Sequence, residues 1–223
     1  MTGLISLIGK NVELEISAKT LFQGTVIDVG LDIIILFDSK KYLYIPLLHL
    51  QGIKEKAAEN TSYSSEEESP LQQEGEVTSY RKILSNAKGQ FVEIFVTGNK
   101  SIHGYVTSVL NDYIVFYSPV YKSLFISMQH LKWLTPYSNQ LTPYSLSREA
   151  LPVVPYSSPL NRSFEEQMKK FIGQLIILDM GEQPEKIGLL KNVSNNIVEL
   201  VTSNSTTIYW KVNHLKTFHF PNQ

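Results

Sequence analysis

Apolar and polar residues alternate over many short stretches of the chain, at the two-residue period of half-buried strands. Val12, Leu14 and Ile16 enclose Glu13 and Glu15, and the same spacing returns as Val92, Ile94, Val96 and as Ile176, Leu178, Met180. Each predicted first strand leads to a second that runs through Gly24, Gly104 or Gly188 toward Val29, Val109 or Val193. A glycine inside a strand marks a bulge or sharp bend, and a small barrel needs such bends. Third strands carry Ile34/Leu36, Ile114/Phe116 and Val198/Leu200, and a polar hairpin leads from each to the fourth strands at 42–45, 123–126 and 207–210. Helical spacing precedes each set, in Leu4/Leu7/Ile8, Tyr80/Ile83/Leu84 and Phe164/Met168/Phe171/Ile172. Ser163 is the expected N-cap of the third helix, with Glu165 and Glu166 in its first turn.

One register superposes all three sets. Gly9, Gly89 and Gly173 open them; a glycine follows 15 residues later, and Asp32, Asp112 or Asn196 comes 8 residues after that. Then 17 or 18 residues on stand His49, His130 and His214, each followed by Leu and, three positions later, by Ile53, Leu134 or Phe218 at the start of a short fifth strand. The expected fold is mainly β: three tandem five-stranded small barrels of the Sm-like, SH3-like kind, each preceded by a short helix. The units span 1–54, 78–134 and 163–223. Domains this small bury limited apolar area, so packing of units on one another or on other chains is expected.

Composition adds linkers. The formal charge is −1, but the segment 55–77 holds seven Glu against one Lys, and its Glu/Ser/Gln-rich, aperiodic sequence reads as a mobile acidic linker. The second linker, 135–162, repeats Pro-Tyr-Ser three times and reads as an extended spacer. Tyr137, Tyr144 and Tyr156 within it are either parts of a stiff connector or contact and cross-linking points in an assembly. The chain has no cysteine, which removes disulfides and thiolate metal sites and agrees with a reducing compartment. The sequence shows no signal peptide and no apolar run long enough for a membrane span, so synthesis in the cytoplasm is expected.

The segment Gly181-Glu182-Gln183-Pro184-Glu185-Lys186-Ile187-Gly188, the pair Asp112-Tyr113 and the endings His130-Leu131-Lys132 and His214-Leu215-Lys216 resemble the spore coat protein B family, whose N-terminal region carries tandem Sm-like repeats. The first two units lack the Pro-Glu hairpin, His49-Leu50 is followed by Gln51, and the family's Ser/Lys-rich tail has no counterpart before Gln223. The resemblance implies a structural component of the bacterial endospore coat or spore surface, with itself or other coat proteins as partners. Interaction residues expected on this basis are His49, His130, His214, Lys132, Lys216, Tyr44, Tyr209 and Trp210.

Candidate chemistry is sparse. Each recurring histidine stands without a second ligand at metal spacing, and is expected to bond backbone in the turn before strand five. Phosphate loops, nucleophile elbows and recurring carboxylate pairs are absent from the sequence, so no catalysis and no cofactor are expected. Single-stranded RNA binding is the alternative, because Sm-like rings bind RNA by stacking and positive loops. The turns before strand five, Pro46-Leu47-Leu48, Met128-Gln129 and Val212-Asn213, lack the Arg-Gly that reading requires, and His-Leu-Lys is only loosely similar to the Lys-His pair of the Hfq family.

Overall fold

The two-residue alternation forms strands where expected. The computed structural model describes residues 2–17, 19–56, 69–73, 75, 77–97, 100–138, 143–146 and 152–221. The first unit holds α1 (Thr2–Ile5), β1 (Asn11–Ile16), β2 (Thr20–Val29), β3 (Ile33–Phe37), β4 (Tyr42–Pro46) and β5 (Leu50–Glu55). The second holds α2 (Tyr80–Asn86), β6 (Phe91–Thr97), β7 (Lys100–Val109), β8 (Tyr113–Ser118), β9 (Lys122–Ser127) and β10 (Trp133–Pro136). The third holds α3 (Phe164–Lys169), β11 (Leu175–Leu178), β12 (Ile187–Ser194), β13 (Ile197–Val201), β14 (Thr207–Lys211) and β15 (Thr217–His219).

The chain is mainly β, and the three units share one strand order: fourth, third, second, first, fifth. They do not seal as three separate barrels. All fifteen strands among the described residues join in one open antiparallel sheet, with β10 beside β4 and β15 beside β9, and with β14 and β5 at its two ends. The reason is the edge left by each five-stranded unit. A fourth strand with unpaired N–H and C=O groups must find a partner, and the fifth strand of the following unit supplies it.

The glycine landmarks have distinct causes. Gly9, Gly89 and Gly173 lie at φ of +81°, +77° and +89°, a region that side chains disfavour. At the mid-strand glycine the third strand crosses closely: a Cβ at Gly104 would fall 2.0 Å from the carbonyl oxygen of Tyr117. The second strands bulge soon after, between Val26 and Asp28, Val106 and Ser108, and Leu190 and Asn192, as the glycines predicted. One strand is shorter than expected. The first strand of unit three stops at Leu178, because Asp179 and Met180 take positive φ and turn the chain.

Third strands serve two cores at once. Ile34 and Leu36 pack inside the first unit, while Ile33 and Ile35 on the opposite face pack with Tyr80, Ile83, Leu84 and Ala87 of the second. In β8, Ile114 and Phe116 face their own core and Tyr113 and Val115 join Phe164, Met168 and Phe171 of the third unit. That is why Ile33–Leu36 and Tyr113–Phe116 are continuous apolar runs. In β13 the corresponding face carries Ile197 and Glu199, both only half-buried, and no other unit among the described residues packs on it.

Part of the first linker is structural. Ser69 and Leu71 are buried, the hydroxyl of Ser69 lies 2.6 Å from that of Tyr44, and Leu71 N donates to the Tyr44 hydroxyl at 3.0 Å. Residues 57–68, which carry most of the acidic run, lie outside the described residues. In the second linker Tyr137 donates to or accepts from His103 Nδ1 at 2.9 Å, and Tyr156 packs edge-on against Phe125. Tyr144 is the half-exposed one of the three.

Candidate functional site at the joints between units

Each joint is built from three contacts that repeat. The first is strand pairing. Tyr44, Phe125 and Tyr209 occupy the same place in their fourth strands, opposite Ile35, Val115 and Glu199. Tyr44 pairs across the first joint with Leu134, and Phe125 across the second with Phe218, so the register is the same in both. Ser127 N donates to Lys216 O at 2.9 Å in the second joint. Pro46 stands where Ser127 does and has no N–H to give, so the first joint has the shorter ladder.

Aromatic side chains fill the space beneath these pairs. Trp133 of the second unit enters the core of the first, stacked on Phe95 with ring centroids 4.1 Å apart and meeting Phe22 edge-on at 5.0 Å. Phe125 and Phe218 stack at 4.5 Å with their planes 5° apart.

The second contact is a helix cap delivered from the preceding unit. Asp32 Oδ1 accepts from Tyr80 N at 2.7 Å, and Asp112 Oδ1 accepts from Phe164 N at 2.8 Å. Each carboxylate thus sits at the first turn of the next unit's helix, beside that helix's own N-caps Ser79 and Ser163. In the sequence Asp32 and Asp112 stand out only by their place in the repeat. The available signal was that the third unit, whose turn caps no helix among the described residues, has Asn196 instead. Asp112→Ala is expected to cost about 0.5–2 kcal/mol, read as a lowered urea midpoint, whereas Asn196→Gly, which keeps the φ of +61° without strain, should leave the midpoint nearly unchanged.

The third contact is the recurring histidine. His130 Nε2 lies 2.8 Å from the carbonyl of Asn213, the residue before His214. His49 is buried against the second unit, where backbone groups of Gln129 and Leu131 act on its ring, and its Nδ1 is 3.2 Å from Ser17 Oγ. His214 is exposed. Of the three, His130 bonds backbone, and that backbone belongs to the next unit, while His49 Nε2 is buried without a hydrogen-bond partner. The histidines line up along successive joints, and no group of three or more metal-holding side chains occurs among the described residues.

The remaining candidates divide by joint. Tyr44 is buried, and burial pushes its hydroxyl up to about 12. Lys132 lies over Phe95 at 5.5 Å, its pKa lowered first by burial and then by the charge of Lys216. Lys216 N donates to Asp179 Oδ1 at 2.6 Å and its Nζ is 3.5 Å from Glu182. Trp210 is half-buried beneath the Lys186 ammonium, 3.7 Å from its ring centroid, and Tyr209 is 64% exposed. Two clefts lie at the joints: about 310 Å³ lined by Asp28, Leu31 and Thr78, and about 240 Å³ lined by Asp112, Phe164 and Asn213.

Burial at the joints makes stability depend on pH. His219, packed edge-on to Tyr121, is pushed down to about 4 by burial, and burial is also the largest cause of the lowered pKa of His49 and His130. Unfolded histidines take up protons near pH 6.5 while these stay neutral in the fold, so the unfolded state binds more protons in that window. Stability is intact above about pH 6.5 and falls as the pH drops toward about 4. The urea midpoint is expected to decline between pH 7 and 4.5, with a shallower slope for His219→Phe.

No helix among the described residues is long and apolar enough to cross a membrane. The family described as YwrJ third domain matches residues 163–218, the third unit. A more distant likeness, 24% identity over 139 residues, connects 62% of this chain to 34% of spore coat protein B of Bacillus subtilis (strain 168). The resemblance to spore coat protein B read from the sequence is thus present but partial. Far closer is the uncharacterized protein YwrJ of the same organism, 55% identical over 225 residues that cover 99% of this chain and 100% of that protein. On that identity over its whole length, the chain belongs to the YwrJ family.

Proposed function

We propose that the chain is a non-catalytic structural component of the bacterial endospore coat, built of three Sm-like units and assembling with itself or with other coat proteins. The observation that carries this reading is the repeated joint: the side chains that recur from unit to unit hold units together. The distant likeness to spore coat protein B supports the coat location. The strand order fourth-third-second-first-fifth in every unit supports the Sm-like assignment.

A fluorescent fusion of the chain in sporulating Bacillus subtilis is expected to collect at the spore periphery and to leave with the coat fraction on alkaline extraction. Even distribution through the cell, or recovery with the soluble lysate, overturns the proposal. RNA binding has less support, because the Lys132 ammonium lies over Phe95 and the Lys216 ammonium faces Glu182. Titration with single-stranded RNA at low salt is expected to give no salt-sensitive binding.

A further inference from the structure

The two ends of the sheet are the two halves of one joint. At one end lies a fourth strand, β14, and at the other a fifth strand, β5. Every residue of β4 is buried, as are four of the six in β9, but none of the five in β14 is. Likewise Trp133, Leu134 and Thr135 of β10 and all of β15 are buried, whereas no residue of β5 is. Exposure at the ends falls on a residue that the inner joints cover: Tyr209 is 64% exposed, whereas Tyr44 and Phe125 in its place are buried.

From the continuity of these edges with the two joints already formed, we propose that a second copy of the chain docks its β5 on β14, repeating the same joint between molecules. The proposal rests on the reading of the chain as an assembling component and specifies which surfaces assemble. Its register is fixed by the inner joints. Tyr209 stands where Tyr44 and Phe125 stand, and Ile53 where Leu134 and Phe218 stand, four residues after the histidine in each unit. Tyr209 therefore pairs with the copy's Ile53, and Lys211 N, in the place of Ser127 N, donates to the carbonyl of Gln51. His214 reaches the carbonyl of Leu48, as His130 reaches that of Asn213.

Side-chain sizes agree with this register. The residue before the paired one is Trp133 opposite Ile45 in the first joint and Thr217 opposite Ile126 in the second. In the intermolecular joint it is Gly52, and the residue opposite is Trp210. A Cβ at Gly52 would meet nothing within 4 Å in the free chain, so the glycine leaves the space that the indole fills. One feature makes this joint weaker than the inner two. Lys191 and Glu199, 2.9 Å apart, stand where unit one has Ile27 and Ile35, a polar face of the kind that limits stacking in repeat proteins. Association between copies is accordingly reversible, while the inner joints are permanent. Because the two edges differ, the contact is head-to-tail and grows into a closed ring or an open filament.

Two variants test it. Gly52→Lys meets open space in the free chain, opposite Glu15, but puts a second ammonium beside that of Lys186 against Trp210 in the joint. Tyr209→Pro removes an outward N–H from β14, an edge position of the kind that accepts proline. In sedimentation velocity the unaltered protein is expected to gain mass with concentration, while each variant alone stays at the 25.3 kDa of one chain. An equimolar mixture is expected to form a species of twice that mass and no larger one, because one native joint remains between the two variants. If Tyr209→Pro weakens the far-ultraviolet circular dichroism, Tyr209→Lys, which keeps every backbone group, takes its place. The proposal is overturned if the unaltered chain stays single at its highest soluble concentration, if either variant associates as the unaltered chain does, or if the folded variants fail to pair. A single chain that still reaches the spore coat leaves the functional reading in place and assigns the edges to a strand of another coat protein.

Discussion

Phe218→Ala is expected to lower stability by about 3–5 kcal/mol, the range for truncating a buried aromatic ring. Phe218 has no exposed surface, stacks on Phe125 of the preceding unit, and touches Phe164, Phe171 and Phe220 of its own. The ring is at once the core of the third unit and the apolar anchor of the second joint, so its loss leaves a cavity that neither unit can close alone. The two tryptophans separate these effects, since Trp133 lies at the first joint and Trp210 in the third unit. In urea unfolding followed by fluorescence, the Trp210 transition, isolated in a Trp133→Phe background, should move to lower denaturant than the Trp133 transition. Phe218→Leu should recover part of the loss. A cost below about 1 kcal/mol, the size of a typical exposed substitution, would show that the joint does not depend on this ring.

The sequence made the units legible because their landmarks are local. Bulge glycines, strand alternation and the Ser163 cap each depend on a few neighbouring residues, and apart from Met180, which lies past the end of its strand, they appear where the spacing placed them. The joints were harder to read, since their contacts join residues some 50 to 90 positions apart. Asp32 looks like a turn residue until Tyr80 N is seen to donate to it, and His130 looks like a residue bonding its own turn until the carbonyl proves to be that of Asn213. A trace of the joints was nevertheless present. The runs Ile33–Leu36 and Tyr113–Phe116 lack the polar alternate that a strand with one solvated face carries, while Ile197–Val201 includes Glu199. That contrast distinguishes the covered third strands from the uncovered one. Sealed barrels were expected because each unit was considered alone, and an edge strand in isolation closes on itself or stays open. The next unit offers a better partner, already held nearby by the chain.

Asp179→Asn tests the other buried feature of the third unit, and a cost of about 3–5 kcal/mol is expected, as for any buried ion pair that loses one partner. Asp179 Oδ2 accepts from Lys186 Nζ at 2.9 Å, and Oδ1 accepts from Lys216 N and Thr217 N at 2.6 and 3.1 Å. The Lys186 and Asp179 side chains are 10% and 3% exposed, so water cannot replace the lost carboxylate. Asparagine is the informative substitution, because it tolerates the φ of +47° at this position and keeps an acceptor for the two backbone amides. What it removes is the charge opposite the ammonium. The Pro184–Lys186 turn, part of the segment that carried the resemblance to the coat family, places that ammonium over Trp210. Lys186→Met should be comparably costly by stranding Asp179, and the double variant Asp179→Asn/Lys186→Met should recover most of the loss. Such non-additivity is expected of a contacting pair. Additive losses in the double variant would mean that Asp179 acts through its backbone bonds to Lys216 and Thr217, and that the charge pair adds little to the third unit.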